Sequence, residues 1–133
     1  MRLMLRDIAA VTTGQLQGPD VEVRGLCHDS RQIRSGDLFV ALSGEHSDGH
    51  EFARQAVDAG ASAVLAERAL DDDIAHVQVE DTQQAMGQIA AHWRKQLDGL
   101  KVVGITGSNG KTTVKEMTAA VLSVAGPTAA TPG

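Results

Sequence analysis

The sequence predicts an α/β fold: a small amino-terminal α/β domain followed by the start of a second α/β domain with a phosphate loop. Three observations predict it. Short apolar runs at 37–42, 63–66 and 101–106 alternate with helix-period segments, the pattern of a largely parallel sheet with helices on its faces. A glycine-rich turn stands between the last of those runs and a helical segment. The 42% hydrophobic content is almost wholly aliphatic, with one Trp, two Phe and no Tyr, so the core is built of Ala, Val, Leu and Ile.

In chain order, 4–12 reads as a short helix with Leu5, Ile8, Ala9 and Val11 apolar and a stop at Gly14. Residues 15–20 carry Gly18-Pro19 and read as a turn, and 21–26 alternate like a strand. The run Asp-Leu-Phe-Val-Ala-Leu at 37–42 suits a buried strand, and 44–49 form a polar loop. Asp48 or Gly49 opens a helix with Phe52, Ala53, Ala56 and Val57 on one face, and Gly60 ends it. Strands follow at 63–66 and 76–79, separated by a loop in which Asp71, Asp72 and Asp73 are solvated. Those three carboxylates lack the glycine turn and distal Glu of a calcium loop. Asp81-Thr82 caps a helix reaching Leu97, with Met86, Ile89, Ala90, Trp93 and Leu97 as its apolar stripe.

Gly99 breaks that helix, and 101–106 read as a buried strand. A last helix covers 111–125 with Val114, Met117, Thr118, Val121 and Leu122 inward. The natural boundary lies near 80–82, giving domains 1–81 and 82–133. The second contains a single strand, too little to close a sheet, so it is expected to be loose in isolation and to belong to a longer chain.

Composition excludes several classes. With a formal net charge of −5 and no basic stripe, binding to nucleic-acid backbone is not expected. The near absence of aromatics removes stacking platforms for bases. One cysteine, Cys27, rules out an intramolecular disulfide and fits a reducing compartment. No apolar run reaches the length of a membrane span, and charges interrupt the first residues where a signal peptide needs an apolar stretch. A cytoplasmic monomer is the expected state.

The chemistry concentrates at Thr106-Gly107-Ser108-Asn109-Gly110-Lys111-Thr112-Thr113. Gly107 and Gly110 let the backbone curl so that several amides face one point. The helix N-terminus adds partial positive charge. Lys111 would neutralise β/γ-phosphate oxygens of a nucleoside triphosphate, and the Thr112 hydroxyl would ligate Mg²⁺. The common pattern G-x-x-x-x-G-K-[ST] is not met as written, because Ile105 stands where its first glycine belongs.

This loop resembles the ATP loop of the Mur ligases and of the related folylpolyglutamate synthases. A second block separates the two: His28-Asp29-Ser30-Arg31, then 35–42, then Gly44-Glu45-His46-Ser47-Asp48-Gly49-His50-Glu51-Phe52. It is similar to the first-domain signature of the Mur ligases that add the third amino acid, or D-alanyl-D-alanine, to UDP-N-acetylmuramoyl peptides. The continuation Thr113-Val114-Lys115-Glu116-Met117 and the early first helix favour the enzyme that adds D-alanyl-D-alanine to the tripeptide. The enzyme adding the third residue is the alternative, and a non-catalytic nucleotide-binding regulatory module is the alternative of another class.

The resemblance implies an ATP- and Mg²⁺-dependent amide ligation in peptidoglycan synthesis, through an acyl phosphate. It implies a first domain that holds the UDP end of the substrate with Asp29, Ser30, Arg31, Glu45, His46 and Ser47. It implies ATP held by Gly107, Ser108, Asn109, Gly110, Lys111, Thr112 and Thr113, with Lys111 catalytic. Acidic metal ligands, a modified lysine and a closing domain are expected outside this sequence, which alone should not turn over. Without the resemblance, Asp29-Ser30-Arg31 is a polar turn after a strand, in which Arg31 pairs with a phosphate or an internal carboxylate. His46-x-Asp48-x-His50 lacks a third and fourth metal ligand nearby, His92 is solvated, and Cys27 is a small buried hydrophobe.

Overall fold

The computed structural model describes residues 1–44 and 48–132. The chain divides into two compact units, Met1–Asp98 and Gly99–Gly133. The first contains strands β1 (Leu3–Met4), β2 (Gln15–Gln17), β3 (Glu22–Val23), β4 (Gly25–Cys27), β5 (Asp37–Val40), β6 (Ala63–Ala66) and β7 (His76–Gln78). Its helices are α1 (Leu5–Thr12), α2 (Ala53–Asp58, entered through a 3-10 turn at Gly49–Phe52) and α3 (Thr82–Lys95).

Five strands form one sheet in the order β2-β7-β6-β5-β4. β4, β5, β6 and β7 run parallel to one another, and β2 is an antiparallel edge beside β7. Every residue of β5 and β6 is buried. Side chains alternate across a strand, so two cores result. Leu38, Val40, Ala63 and Leu65 join Leu5 and Ile8 of α1 and Ala85 and Ile89 of α3. Phe39, Ala41, Val64 and Ala66 meet Ala53 and Ala56 of α2 on the other face.

Local signals explain the helix ends. Thr13 at φ 53° terminates α1, with its amide and that of Gly14 returning to carbonyls of the last turn. Gly14 must be glycine for reasons of space: a Cβ there would lie 2.6 Å from Val77 Cγ1 and 2.8 Å from the carbonyl oxygen of Gln78. The Asp81 carboxylate accepts the Gln84 amide at 2.8 Å and starts α3.

Several expectations require correction. The predicted turn at 15–20 contains β2, whose Gln-Leu-Gln sequence pairs with β7 through backbone bonds that need no apolar side chains. The strand predicted at 21–26 splits at Arg24, because Glu22–Val23 pairs with β1 whereas Gly25–Cys27 pairs with β5. Phe52 lies 38% exposed. α3 stops at Lys95, and Ala90 and Leu97 are exposed. The division between units falls after Asp98, not Asp81, because α3 buries Ala85 and Ile89 in the same core as α1. Asp71 and Asp73 are not merely solvated: the Arg54 guanidinium reaches both, at 3.0 and 2.7 Å.

The second unit contains α4, Lys111–Ala125. None of its described residues is buried. The strand expected at 101–106 is absent; Val102 and Val103 are 64% and 58% exposed. Val114, Met117, Val121 and Leu122 of α4 are exposed rather than inward. The physical reason is shared: a strand needs a neighbouring backbone and an apolar helix face needs an opposing one, and the described residues of this unit supply neither.

Candidate functional site

The glycine loop is shaped by its two glycines and the helix behind it. Gly110 adopts φ +75° as the residue preceding α4, and Gly107 adopts φ +153°. A Cβ at Gly110 would meet nothing within 4 Å, so the backbone dihedral rather than space calls for glycine there. The Val114 amide returns to the Gly110 carbonyl at 2.9 Å and opens the helix. Among the described residues, no backbone amide from 107 to 111 donates to a protein acceptor. The Lys111 side chain folds back over the loop and its Nζ donates to the Gly107 carbonyl at 2.5 Å.

Unspent amides, a helix N-terminus and an ammonium are thus gathered at one turn, an arrangement that attracts phosphate oxygens. Ser108, Asn109, Thr112 and Thr113 are all exposed there. A cavity of about 230 Å³ beside the loop is lined by Val103, Ile105, Lys111, Thr112, Lys115 and Thr131, among others. It is smaller than the roughly 300–1,000 Å³ of most ligand pockets. Thr112, expected from the sequence to offer its hydroxyl to a metal, is among the residues lining that cavity. Among the described residues, no cluster of His, Cys, Asp and Glu could hold a metal by itself.

The second group of expected site residues follows β4. The Asp29 carboxylate accepts the Arg31 amide at 3.0 Å and the Arg31 Nε and Nη2 at 2.9 and 2.8 Å. Gln32 Nε2 adds a fourth bond at 3.1 Å. These bonds, led by the Arg31 side chain, hold the Asp29 carboxyl well below the usual carboxylate range, and Asp29 in turn raises Arg31. The Arg31 side chain is 82% exposed, so this pairing is weakly held and can be exchanged. Ser30 lies half-buried between the two.

Glu45, His46 and Ser47 lie outside the described residues. The chain on either side of them is fixed by a bridge between Ser43 and Asp48 and by the Gly49 amide on the Leu42 carbonyl at 2.9 Å. β4 and β5 are parallel neighbours with Cys27 beside Phe39, so the segments that follow them leave from the same carboxyl edge. Ligands of open α/β sheets bind at that edge.

Buried histidines are what sequence reading misses. His50 and His76 are 7% and 2% exposed, and each uses both ring nitrogens. His50 therefore has no lone pair left for a metal. His92 pairs with Gln96 at 2.7 Å. The Cys27 thiol is half-buried and donates to the Asp29 carbonyl at 3.2 Å, a structural contact.

Known families meet both units. Residues 22–94 match the profile described as Mur ligase family, catalytic domain, and 105–133 match the Mur ligase middle domain. The chain belongs to the Mur ligase family. Among Mur ligases, it is 46% identical over 129 residues to the UDP-N-acetylmuramoyl-tripeptide–D-alanyl-D-alanine ligase of Escherichia coli, covering 97% of this chain and 28% of that protein. It is 44% identical over 113 residues to the UDP-N-acetylmuramoyl-L-alanyl-D-glutamate–2,6-diaminopimelate ligase of Syntrophomonas wolfei, covering 82% of this chain and 23% of that protein. MurF from Acinetobacter baumannii superimposes with a TM-score of 0.84 at 40% identity, over 93% of this chain and 28% of that one. MurF from Thermotoga maritima, solved in complex with ADP, gives 0.68 at 36% identity over 77% and 24%. The chain thus spans about 28% of the length of the first of these relatives.

Proposed function

We propose that the protein carrying these two units is an ATP-dependent ligase that joins D-alanyl-D-alanine to UDP-N-acetylmuramoyl tripeptide, a step of peptidoglycan-precursor synthesis on which cell shape and division depend. The observation that carries this reading is the loop at 107–111, whose amides are unspent and over which Lys111 is folded. The substrate is inferred from likeness to the E. coli ligase. The first unit would hold the UDP end of the substrate at the carboxyl edge of its sheet, with Asp29, Ser30, Arg31, Glu45, His46 and Ser47. The second would hold ATP, with Gly107, Ser108, Asn109, Gly110, Lys111, Thr112 and Thr113. The protein would work in the cytoplasm as a monomer, without nucleic-acid or membrane partners. No helix among the described residues is long and apolar enough to cross a membrane.

The chemistry follows from the electrophile. A carboxylate resists attack by an amine because its oxygen is a poor leaving group. Transfer of the γ-phosphoryl group of ATP to that oxygen gives an acyl phosphate, the amine attacks its carbonyl carbon, and the tetrahedral intermediate releases phosphate. Negative charge spreads over the transferring group, where the loop amides and the Lys111 ammonium would stabilise it. Mg²⁺, held in part by the Thr112 hydroxyl, would supply further neutralisation of the phosphate oxygens.

Calorimetric titration of the chain with UDP-N-acetylmuramoyl tripeptide and dipeptide tests the substrate. Preference for the tripeptide supports this reading. Preference for the dipeptide supports ligation of the third residue, the reaction named for the S. wolfei relative. Binding of ATP without either sugar peptide would favour a regulatory nucleotide-binding module.

A further inference from the structure

The carboxyl edge of the first unit is organised around His50. Its Nε2 accepts the Glu67 amide at 2.9 Å, which places the ring proton on Nδ1. That N–H donates to Asp48 Oδ1 at 2.5 Å. Asp48 also accepts the His50 amide at 3.0 Å and pairs with Arg68 Nη2 at 2.8 Å. Glu67, whose amide holds the ring, accepts the amide and hydroxyl of Thr82 at 3.0 and 2.9 Å. One connected set of bonds therefore joins the segments that follow β5, β6 and β7, three adjacent parallel strands.

An apolar side chain could fill the same space without two polar partners. What the imidazole adds is direction: it fixes the Asp48 carboxylate, and with it the Ser43–Asp48 bridge, against the exit of β6. We infer that His50 is a positioning residue for the uridine-diphosphate site: it touches no substrate and orients Asp48 at the edge that also carries the Asp29–Arg31 turn. This inference rests on the substrate reading given above.

The two arms of the ring can be separated. His50→Asn keeps an N–H donor near the Nδ1 position and loses the reach to Glu67. His50→Gln keeps an acceptor near Nε2 and loses the bond to Asp48. In calorimetry of the 133-residue chain with UDP-N-acetylmuramoyl tripeptide, the Gln variant is expected to bind about tenfold more weakly or worse. The Asn variant should stay within about threefold of the parent, although both lower Tm by similar amounts. Arg68→Ala, at a side chain 60% exposed, tests the same carboxylate without threatening the fold. It should weaken binding about twofold to threefold with Tm unchanged.

Equal losses in the Asn and Gln variants, following Tm, would make His50 a packing residue and overturn the inference. So would unchanged affinity in all three variants while the parent binds, an outcome that leaves the substrate reading intact. A parent chain that binds no sugar peptide overturns both.

Discussion

The two units of this chain obey the same local rules with opposite results. In Met1–Asp98 the apolar runs at β5 and β6 are fully buried between α1 and α3 on one side and α2 on the other. In the second unit an equally apolar run, Val102-Val103, stands exposed, and α4 turns Val121 and Val124 to solvent at 71% and 90% exposure. The difference teaches which features a sequence carries locally. A helix closes its bonds within four residues, so α4 forms although none of its described residues is buried. A strand borrows its bonds from elsewhere in the chain, and 101–106 find no lender among the described residues. The glycine loop falls on the local side of this divide, since two positive-φ glycines, the bond from Lys111 to Gly107 and the helix start all lie within a few residues.

Hydrogen exchange should expose the contrast most strongly. Amides of β5 and β6 are expected to exchange about 10³-fold or more slowly than those of 102–106 and the first turn of α4. Strong protection throughout 102–122 in a monomer would erase the distinction between the units. Substitution comes next. Leu65→Ala removes a fully buried side chain and should cost about 2–5 kcal/mol in urea unfolding of the first unit. Val121→Ala should leave that transition within about 0.5 kcal/mol. Equal effects would mean that the second unit is packed in solution.

Lys111→Ala sharpens the comparison from the functional side. It should weaken ATP binding about tenfold or more, read by calorimetry, while leaving the unfolding of the first unit unchanged. The smallest effect concerns acid. The His50 amide and ring hold the Asp48 carboxyl down at about 2 against its ordinary 3.8. The stability contributed by the ionised group is therefore present above about pH 4 and lost as pH falls towards 2. Asp48→Asn should make the acid limb of the unfolding curve shallower in that window, measured by circular dichroism. A limb of unchanged steepness would show that Asp48 is not the group responsible.

Much of the fold was legible. α1, β5, β6, α3 and α4 stand close to where periodicity and caps put them, because long apolar runs and side-chain caps such as Asp81 are local signals. β2 was not legible, since Gln15-Leu16-Gln17 advertises no burial and becomes a strand only because β7 offers an edge. The site divides the same way. The glycine loop could be read letter by letter, whereas nothing in the sequence marked His50, at the start of a helix after the polar loop, as a buried side chain.

By itself, then, the sequence determined an α/β chain with an aliphatic core, the helices, and a turn whose glycines and lysine suit phosphate. The tertiary structure decided the strand order β2-β7-β6-β5-β4, the placement of α3 in the first unit and the junction that ties His50 to Glu67. The reason is distance along the chain. Turns and helices are settled among residues a few positions apart, whereas strand pairing and buried polar contacts join residues far apart, such as His50 and Glu67, and exist only once the sheet has formed.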